Sequence, residues 1–346
     1  MGSLTAIAPW FGGKRSLAPE IVRELGPHKA YFEPFCGSCA VLFAKPVSAL
    51  ETVNDLHGEL VNLAMVLASS RWTELYQAVD RFLIAQELVD AFTSEMAVPF
   101  DPPESPALVE DENVRRAAQY MAASWICRNG VAGTELVNYQ MAVRWTANGG
   151  SPGIRWRSAV DSVPAWHDRL KGVVILRRDA FELIARIDDA PDTVLYVDPP
   201  YLATTRGGSA GRGGGSRYLH EFKESEEPLL GGVNDHQRLA GLLGRFKRAR
   251  VVVSYYDDPE IRRLYSGWRI RSVARQKNLH AQNKRGTAKS EAPEILIVNG
   301  AAEEDGSDDP PITQRGTEKK DHDANQNPGI HAGRPPGVNA GAPVSV

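Results

Sequence analysis

Asp198, Pro199, Pro200 and Tyr201 follow one another at the end of the apolar run TVLYV (193–197). Proline has no N–H, so two in succession present a backbone that accepts hydrogen bonds and donates none. An ionised aspartate is likewise acceptor-only. A carboxylate oxygen beside such a carbonyl suits a group that brings two N–H donors, for example an exocyclic amino group. Tyr201 adds a flat face against which a planar ring stacks. Together the four residues read as a clamp for an aromatic amine. The nitrogen of such an amine shares its lone pair with its ring and is a poor nucleophile. Acceptors that draw both N–H bonds out of the ring plane return density to the nitrogen and ready it to attack an electrophilic methyl group. Taken alone, the four residues also fit an ordinary strand-ending turn, where proline and aspartate are common.

A second constellation lies upstream in YFEPFCGSCAVLF (31–43), which reads as a strand, a glycine turn and the start of a helix. Ligands of open parallel sheets bind at the carboxyl ends of the strands. Gly37 then lets the backbone pass close to a ligand, with Glu33 and Phe35 bordering the pocket. Asp55 stands 18 residues after Gly37 (55 − 37), near the distance at which an acid commonly holds ribose hydroxyls. The three-glycine dinucleotide pattern is absent. That points away from a pyrophosphate and leaves an adenosine-bearing ligand open. Cys36 and Cys39 form a CxxC, which suits either a dithiol redox site or two small residues packed in a tight turn. One pair does not complete a four-ligand zinc site, and Cys127 has no companion. His220, His236 and His280 lack ligand spacing, so no metal is assigned.

These groups need a scaffold. AYFEPF (30–35), VVIL (173–176), TVLYV (193–197), RVVVSYY (250–256) and EILIVN (294–299) read as buried strands. AVLFAK (40–45), LVNLAMVLA (60–68) and QRLAGLLGRFK (237–247) read as helices between them. Strand alternating with helix predicts an α/β fold with a parallel sheet covered on both faces. The alternation lapses from about 70 to 171, where the pattern is helical and predicts an inserted domain. A glycine-rich loop (206–217) follows the proline motif, and the polar, aperiodic segment from Ala301 predicts disorder.

The 346 residues, 42% hydrophobic, suffice for one large domain with an insertion or for two domains. No apolar run reaches the length of a membrane span, no signal peptide is visible, and three cysteines make no disulfide framework; a soluble, reducing, intracellular setting is expected. Residues 301–346 hold eight acids against four bases, so the net charge of −3 leaves +1 on the remainder. From Arg262 to Lys289 there are nine Lys or Arg and no acid. Such a run is either a solvated basic face or a contact for a polyanion.

With these pieces in order, the chain resembles the Dam-type DNA adenine N6-methyltransferases over most of residues 7–299. The resemblance rests on APWFGGKRSL at the start, EPFCGSCAV, Asn54-Asp55, the RNG at 128–130 with Gly133, the DPPY motif at 198–201, and EILIVN at the end. It implies a Rossmann-like sheet that uses S-adenosylmethionine and carries a helical target-recognition insertion. The implied layout is 1–69 and 172–300 for catalysis, 70–171 for target recognition and 301–346 as a disordered tail. Trp10, Lys14, Glu33, Phe35, Gly37, Asp55, Asp179, Phe181 and Asp198 would line the cofactor site. Asp198, Pro199, Pro200 and Tyr201 would hold a flipped-out adenine. Arg128, Asn129, Arg275, Lys277, Lys284 and Arg285 would contact DNA. The resemblance also implies a monomer acting on double-stranded DNA, without metal or membrane, in the cytoplasm of a bacterial cell or phage-infected host. Cys39 departs from a position where many relatives carry glycine or another small residue. A methyltransferase acting on RNA base amines, or a non-catalytic nucleic-acid-binding module, are the alternative expectations.

Overall fold

Among the described residues, seven strands form one sheet: β1 (Ala30–Glu33), β2 (Leu50–Asn54), β3 (Val174–Leu176), β4 (Thr193–Val197), β5 (Arg250–Tyr256), β6 (Arg269–Gln276) and β7 (Glu291–Val298), in the order β3-β2-β1-β4-β5-β7-β6. The first five in that order run parallel; β7 runs antiparallel to both β5 and β6. The computed structural model describes residues 5–10, 12–96, 109–127, 141, 152–202, 220, 222, 234–276 and 291–300, all within the compact unit Met1–Glu304. All five residues of β4 are buried, as a parallel strand covered on both faces requires.

The helices are α1 (Ala18–Leu25), α2 (Ala40–Ala44), α3 (Gly58–Ala68), α4 (Trp72–Asp80), α5 (Gln86–Met96), α6 (Asp111–Ile126), α7 (Pro152–Leu170), α8 (Ala180–Arg186), α9 (Asp235–Leu243) and α10 (Pro259–Leu264). Side chains alternate across a strand, and here they feed two cores. Val194 and Tyr196 join Ile21, Leu63, Tyr120 and Trp166 on one face. Leu195 and Val197 join Ile184, Leu239, Ile261 and Ile297 on the other. Helices α4 to α7 thus share a core with α1 and α3. Polar ties reinforce this packing: Trp125 Nε1 donates to the Ile7 carbonyl at 3.1 Å, and Arg169 of α7 pairs with buried Glu51 of β2, which also holds Lys45.

The expected parallel sheet is present, with two strands beyond the five apolar runs: β2, parallel between β1 and β3, and the antiparallel β6. Residues 269–276 lie within the basic run, yet they form β6, an antiparallel partner of β7 in register from Arg269↔Val298 to Gln276↔Glu291. Alternation of Arg269, Ile270, Arg271, Ser272 and Val273 is the mark of a strand with one polar face, and the density of positive charge hid it. β7 accordingly starts at Glu291, before the expected Glu294.

Strand order reverses between β1 and β4: β2 and β3 lie on one side of β1, and β4 and β5 on the other. Such a switch point leaves a crevice at the carboxyl ends of the strands. The segment after β1 carries Phe35 and Gly37, and the segment after β4 carries Asp198 to Tyr201. Both sequence motifs therefore meet at the position where an open α/β sheet offers a site. Residues 128–129 and 133, the glycine-rich loop 206–217, Lys277, Lys284, Arg285 and the segment 301–346 lie outside the described residues. Among the described residues, no helix is long and apolar enough to cross a membrane.

Candidate active site

The crevice is a cleft of about 1100 Å³ of atom-free space, part of it open to solvent; Trp10, Lys14, Glu33, Phe35, Gly37, Asp55, Asp179, Phe181, Asp198, Pro199 and Pro200 all line it. Every residue expected at the cofactor thus lines this one cleft, together with three of the four clamp residues.

The turn after β1 is built around Trp10. Gly37 has φ +44°, and a Cβ placed there would lie 2.7 Å from Trp10 Nε1. Glycine is therefore required first by the indole stacked over the turn, before any ligand is considered. Gly37 N–H donates to Asp55 Oδ2 at 2.8 Å, and His57 N–H donates to Oδ1 at 2.9 Å. Burial pushes the Asp55 carboxyl up, and these two backbone bonds oppose the shift. Asn54, buried beside it, donates to the Pro34 and Arg178 carbonyls at 2.9 and 3.0 Å and accepts from Arg178 N–H at 2.9 Å. It ties the segments after β1 and β3 together at the edge of the cleft. His57 caps α3 by accepting from Leu60 N–H at 3.2 Å. Burial lowers its pKa to about 4, so it is neutral beside Trp10.

The apolar wall comes from Phe181 and Phe35, each about 5.6–5.7 Å from Phe222 between ring centroids. Asp179 caps α8, accepting from Phe181 N–H at 2.7 Å and Glu182 N–H at 3.2 Å. Its place in the wall follows from starting that helix.

On the other side, Asp198 is held at both oxygens. Ser254 Oγ donates to Oδ1 at 2.8 Å, and Lys14 Nζ reaches Oδ2 at 2.9 Å. Lys14 is 5% exposed, so its charge is buried and not solvated. Its ammonium also meets Glu294 Oε1 at 3.3 Å and the Gly12 carbonyl at 2.8 Å. Burial raises the Asp198 pKa, and Lys14 opposes the rise. Glu33, at the end of β1, accepts from Tyr31 OH at 2.7 Å. Burial pushes its pKa up to about 8 and Asp198 nearby adds to the rise, so it retains its proton at neutral pH.

Tyr201 departs from expectation. It is 4% exposed. Its hydroxyl donates to Glu294 Oε1 at 2.7 Å, Lys14 Nζ sits 4.9 Å from its ring centroid, and Tyr256 packs against it at 4.8 Å. The ring offers no open face; it braces the loop from behind.

Ser254, Glu294 and Tyr196 were not singled out from the sequence. The available signals were modest: Ser254 is the polar interruption of VVVSYY, and Glu294 is an acid at the head of an apolar strand. The setting of the two cysteines weighs against the dithiol reading. A hydrogen bond with Cys39 and burial push the Cys36 thiol well above its ordinary range, whereas a reactive cysteine needs a stabilised thiolate. Of the residues expected at DNA, Arg275 lies in β6 and Arg128, Asn129, Lys277, Lys284 and Arg285 lie outside the described residues. Arg269 and Arg271, earlier in the same basic run, pair with Glu24 and Glu20 of α1. Among the described residues, no group of three or more His, Cys, Asp or Glu is placed to hold a metal ion.

A carboxylate fixed at a sheet switch point, beside a cleft with an aromatic wall and a second carboxylate, can bind a planar amine next to a ribose-bearing ligand. Comparison with known proteins agrees. The chain is 22% identical over 298 residues to the Retron Ec67 DNA adenine methylase of Escherichia coli, covering 86% of this chain and 92% of that protein. Residues 10–211, more than half the chain, match the profile of the D12 class N6 adenine-specific DNA methyltransferases, and the chain belongs to that family of enzymes that methylate adenine in DNA.

Proposed function

We propose that the enzyme moves a methyl group from S-adenosylmethionine to the N6 amino group of an adenine flipped out of duplex DNA. The supporting observation is continuity: Asp55 and Phe181 on one side and Asp198 and Pro199 on the other line a single cleft. The donor set fits S-adenosylmethionine. Asp55 has lone pairs left for ribose hydroxyls after accepting two backbone bonds, and Phe35 and Phe181 make an apolar wall for a purine. That cofactor supplies an electrophilic methyl group.

Asp198 accepts an N–H of the target amine, and the carbonyl between the two prolines accepts the other. The duplex buries this amine, so the base must leave the stack. Tyr201 acts by holding this segment through Glu294. Residues 1–69 and 172–300 form the catalytic part, and 70–171 serves target recognition with Arg128 and Asn129. Arg275, Lys277, Lys284 and Arg285 meet phosphates, which give affinity, while base contacts from the insertion give sequence choice.

The test is single-turnover transfer of labelled methyl from S-adenosylmethionine to duplex DNA, with RNA as control and N6-methyladenine identified by mass spectrometry. Asp198→Ala is expected to lose at least about a hundredfold in rate, the scale of removing one preorganised polar group, while DNA binding persists. A wild-type rate in Asp198→Ala would refute the clamp, and transfer to RNA alone would refute the DNA substrate.

A further inference from the structure

The hydroxyls behind Asp198 form a chain with a fixed direction. Val197 of β4 pairs with Val253 of β5, which brings the next residues, Asp198 and Ser254, side by side. Ser254 Oγ lies 2.8 Å from Asp198 Oδ1, and Tyr196 OH lies 3.0 Å from Ser254 Oγ. An ionised carboxylate only accepts, so the single hydroxyl proton of Ser254 goes to Asp198. Ser254 then has only lone pairs for Tyr196, and the phenol proton points at Ser254. Both hydroxyls are buried, where an unbonded polar group is costly; bonded in series, they polarise one another toward the carboxylate.

This arrangement decides the orientation of Asp198. Rotation of a carboxylate about its last bond is soft. One anchor, Lys14 on Oδ2, leaves that rotation open; a second on Oδ1 closes it. We propose that Ser254, backed by Tyr196, is a positioning residue that fixes the Asp198 carboxylate so that its remaining lone pairs face the target amine. This rests on the reading of Asp198 as the amine acceptor.

Among the described residues, the charged and titratable groups around Asp198 are Lys14 from the N-terminal segment, Glu33 from β1, Tyr196 from β4, Tyr201 after it, Tyr255 from β5, and Glu294 from β7. Burial and the Glu294 charge favour the protonated form of Asp198, and Lys14 and Ser254 favour the ionised form. Removing the Ser254 donor therefore moves the titration of Asp198 to higher pH.

The experiment measures single-turnover methylation of duplex DNA at saturating S-adenosylmethionine across pH, with DNA affinity measured separately. Ser254→Ala should slow transfer about tenfold to a hundredfold, the scale of misplacing a reacting group, with DNA affinity unchanged. The acid limb of its rate profile should move to higher pH. Ser254→Thr should restore most of the rate, and Tyr196→Phe should produce a smaller loss of the same kind. The double variant Ser254→Ala with Asp198→Ala should be no slower than Asp198→Ala alone. A Ser254→Ala rate within about twofold of wild type, beside an inactive Asp198→Ala, would overturn this inference and leave the amine clamp standing. So would a slow Ser254→Ala with an unmoved acid limb, or losses that add in the double variant. An Asp198→Ala enzyme at wild-type rate would remove the clamp itself.

Discussion

Lys14 Nζ lies 2.9 Å from Asp198 Oδ2, joining the amino-terminal motif to the end of β4 in a setting largely closed to water. The three N–H bonds of the ammonium have three acceptors: Asp198, Glu294 and the Gly12 carbonyl. The lysine therefore braces Asp198 as well as lining the cleft. Breaking a buried pair strands its partner. Lys14→Met is expected to cost about 3 kcal/mol in urea unfolding and to slow transfer together. Lys14→Arg should not rescue either, because a planar fork does not replace a compact charge. An unchanged urea midpoint in Lys14→Met would show that the pair is not holding this region.

The turn after β1 yields two opposite outcomes. At Gly37 an added methyl meets the Trp10 indole at 2.7 Å. Gly37→Ala should destabilise by about 2 kcal/mol or more and weaken S-adenosylmethionine binding, as read by calorimetry. Cys39 is instead a non-glycine residue at φ +59°, a left-handed conformation costing about 1–2 kcal/mol. In Cys39→Gly the relief of that strain is offset by lost burial and added chain entropy, so stability and rate should stay within about 1 kcal/mol of wild type. Cys39→Val, β-branched at a positive φ, should fall well below both.

Stability should depend on pH through Glu33. Its pKa rises from 4.5 to about 8 in the folded protein. Between those values the folded chain keeps a proton that the unfolded chain has released. The contribution of this group is thus full at low pH and declines as pH rises through that window. Glu33→Gln stays neutral and escapes the decline. Its urea midpoint relative to wild type should increase from about pH 5 to about pH 8. Equal differences at both pH values would mean that Glu33 is ionised in the folded protein.

The basic run should split into two functions. Arg269 and Arg271 face Glu24 and Glu20. Replacing them with alanine should cost up to about 1 kcal/mol each, as for partly exposed pairs, and leave the salt dependence of DNA binding unchanged. Replacing Arg275, Lys277, Lys284 and Arg285 with alanine should weaken binding on every sequence and flatten the plot of log affinity against log salt. An identical slope in the second variant would make those four side chains a solvated surface.

Five of the seven strands, the two strand-end motifs and the helical character of 70–171 were legible because they depend on neighbours in the chain. Apolar runs bury, proline withholds a donor, glycine admits a positive φ, and an aspartate at a strand end has lone pairs wherever that strand lies. β2 was missed because its short LETVN carries Glu51, Thr52 and Asn54 and forms no apolar run, and β6 because its alternation was masked by arginines that read as a charge run until Glu20 and Glu24 of α1 were brought opposite them.

The remainder of the site depended on the three-dimensional arrangement. Asp198 alone announces an acceptor; the two hydrogen bonds that aim it come from Ser254 on β5 and Lys14 in the amino-terminal segment. Tyr201 reads as a stacking face until β7 places Glu294 against its hydroxyl and turns the ring inward. Which chemical groups stand at the ends of β1 and β4 follows from the order of residues, because backbone and side-chain valence are local. Strand order and register alone decided which groups meet, because hydrogen bonds and ion pairs between distant residues exist only once the sheet has set them a few ångströms apart.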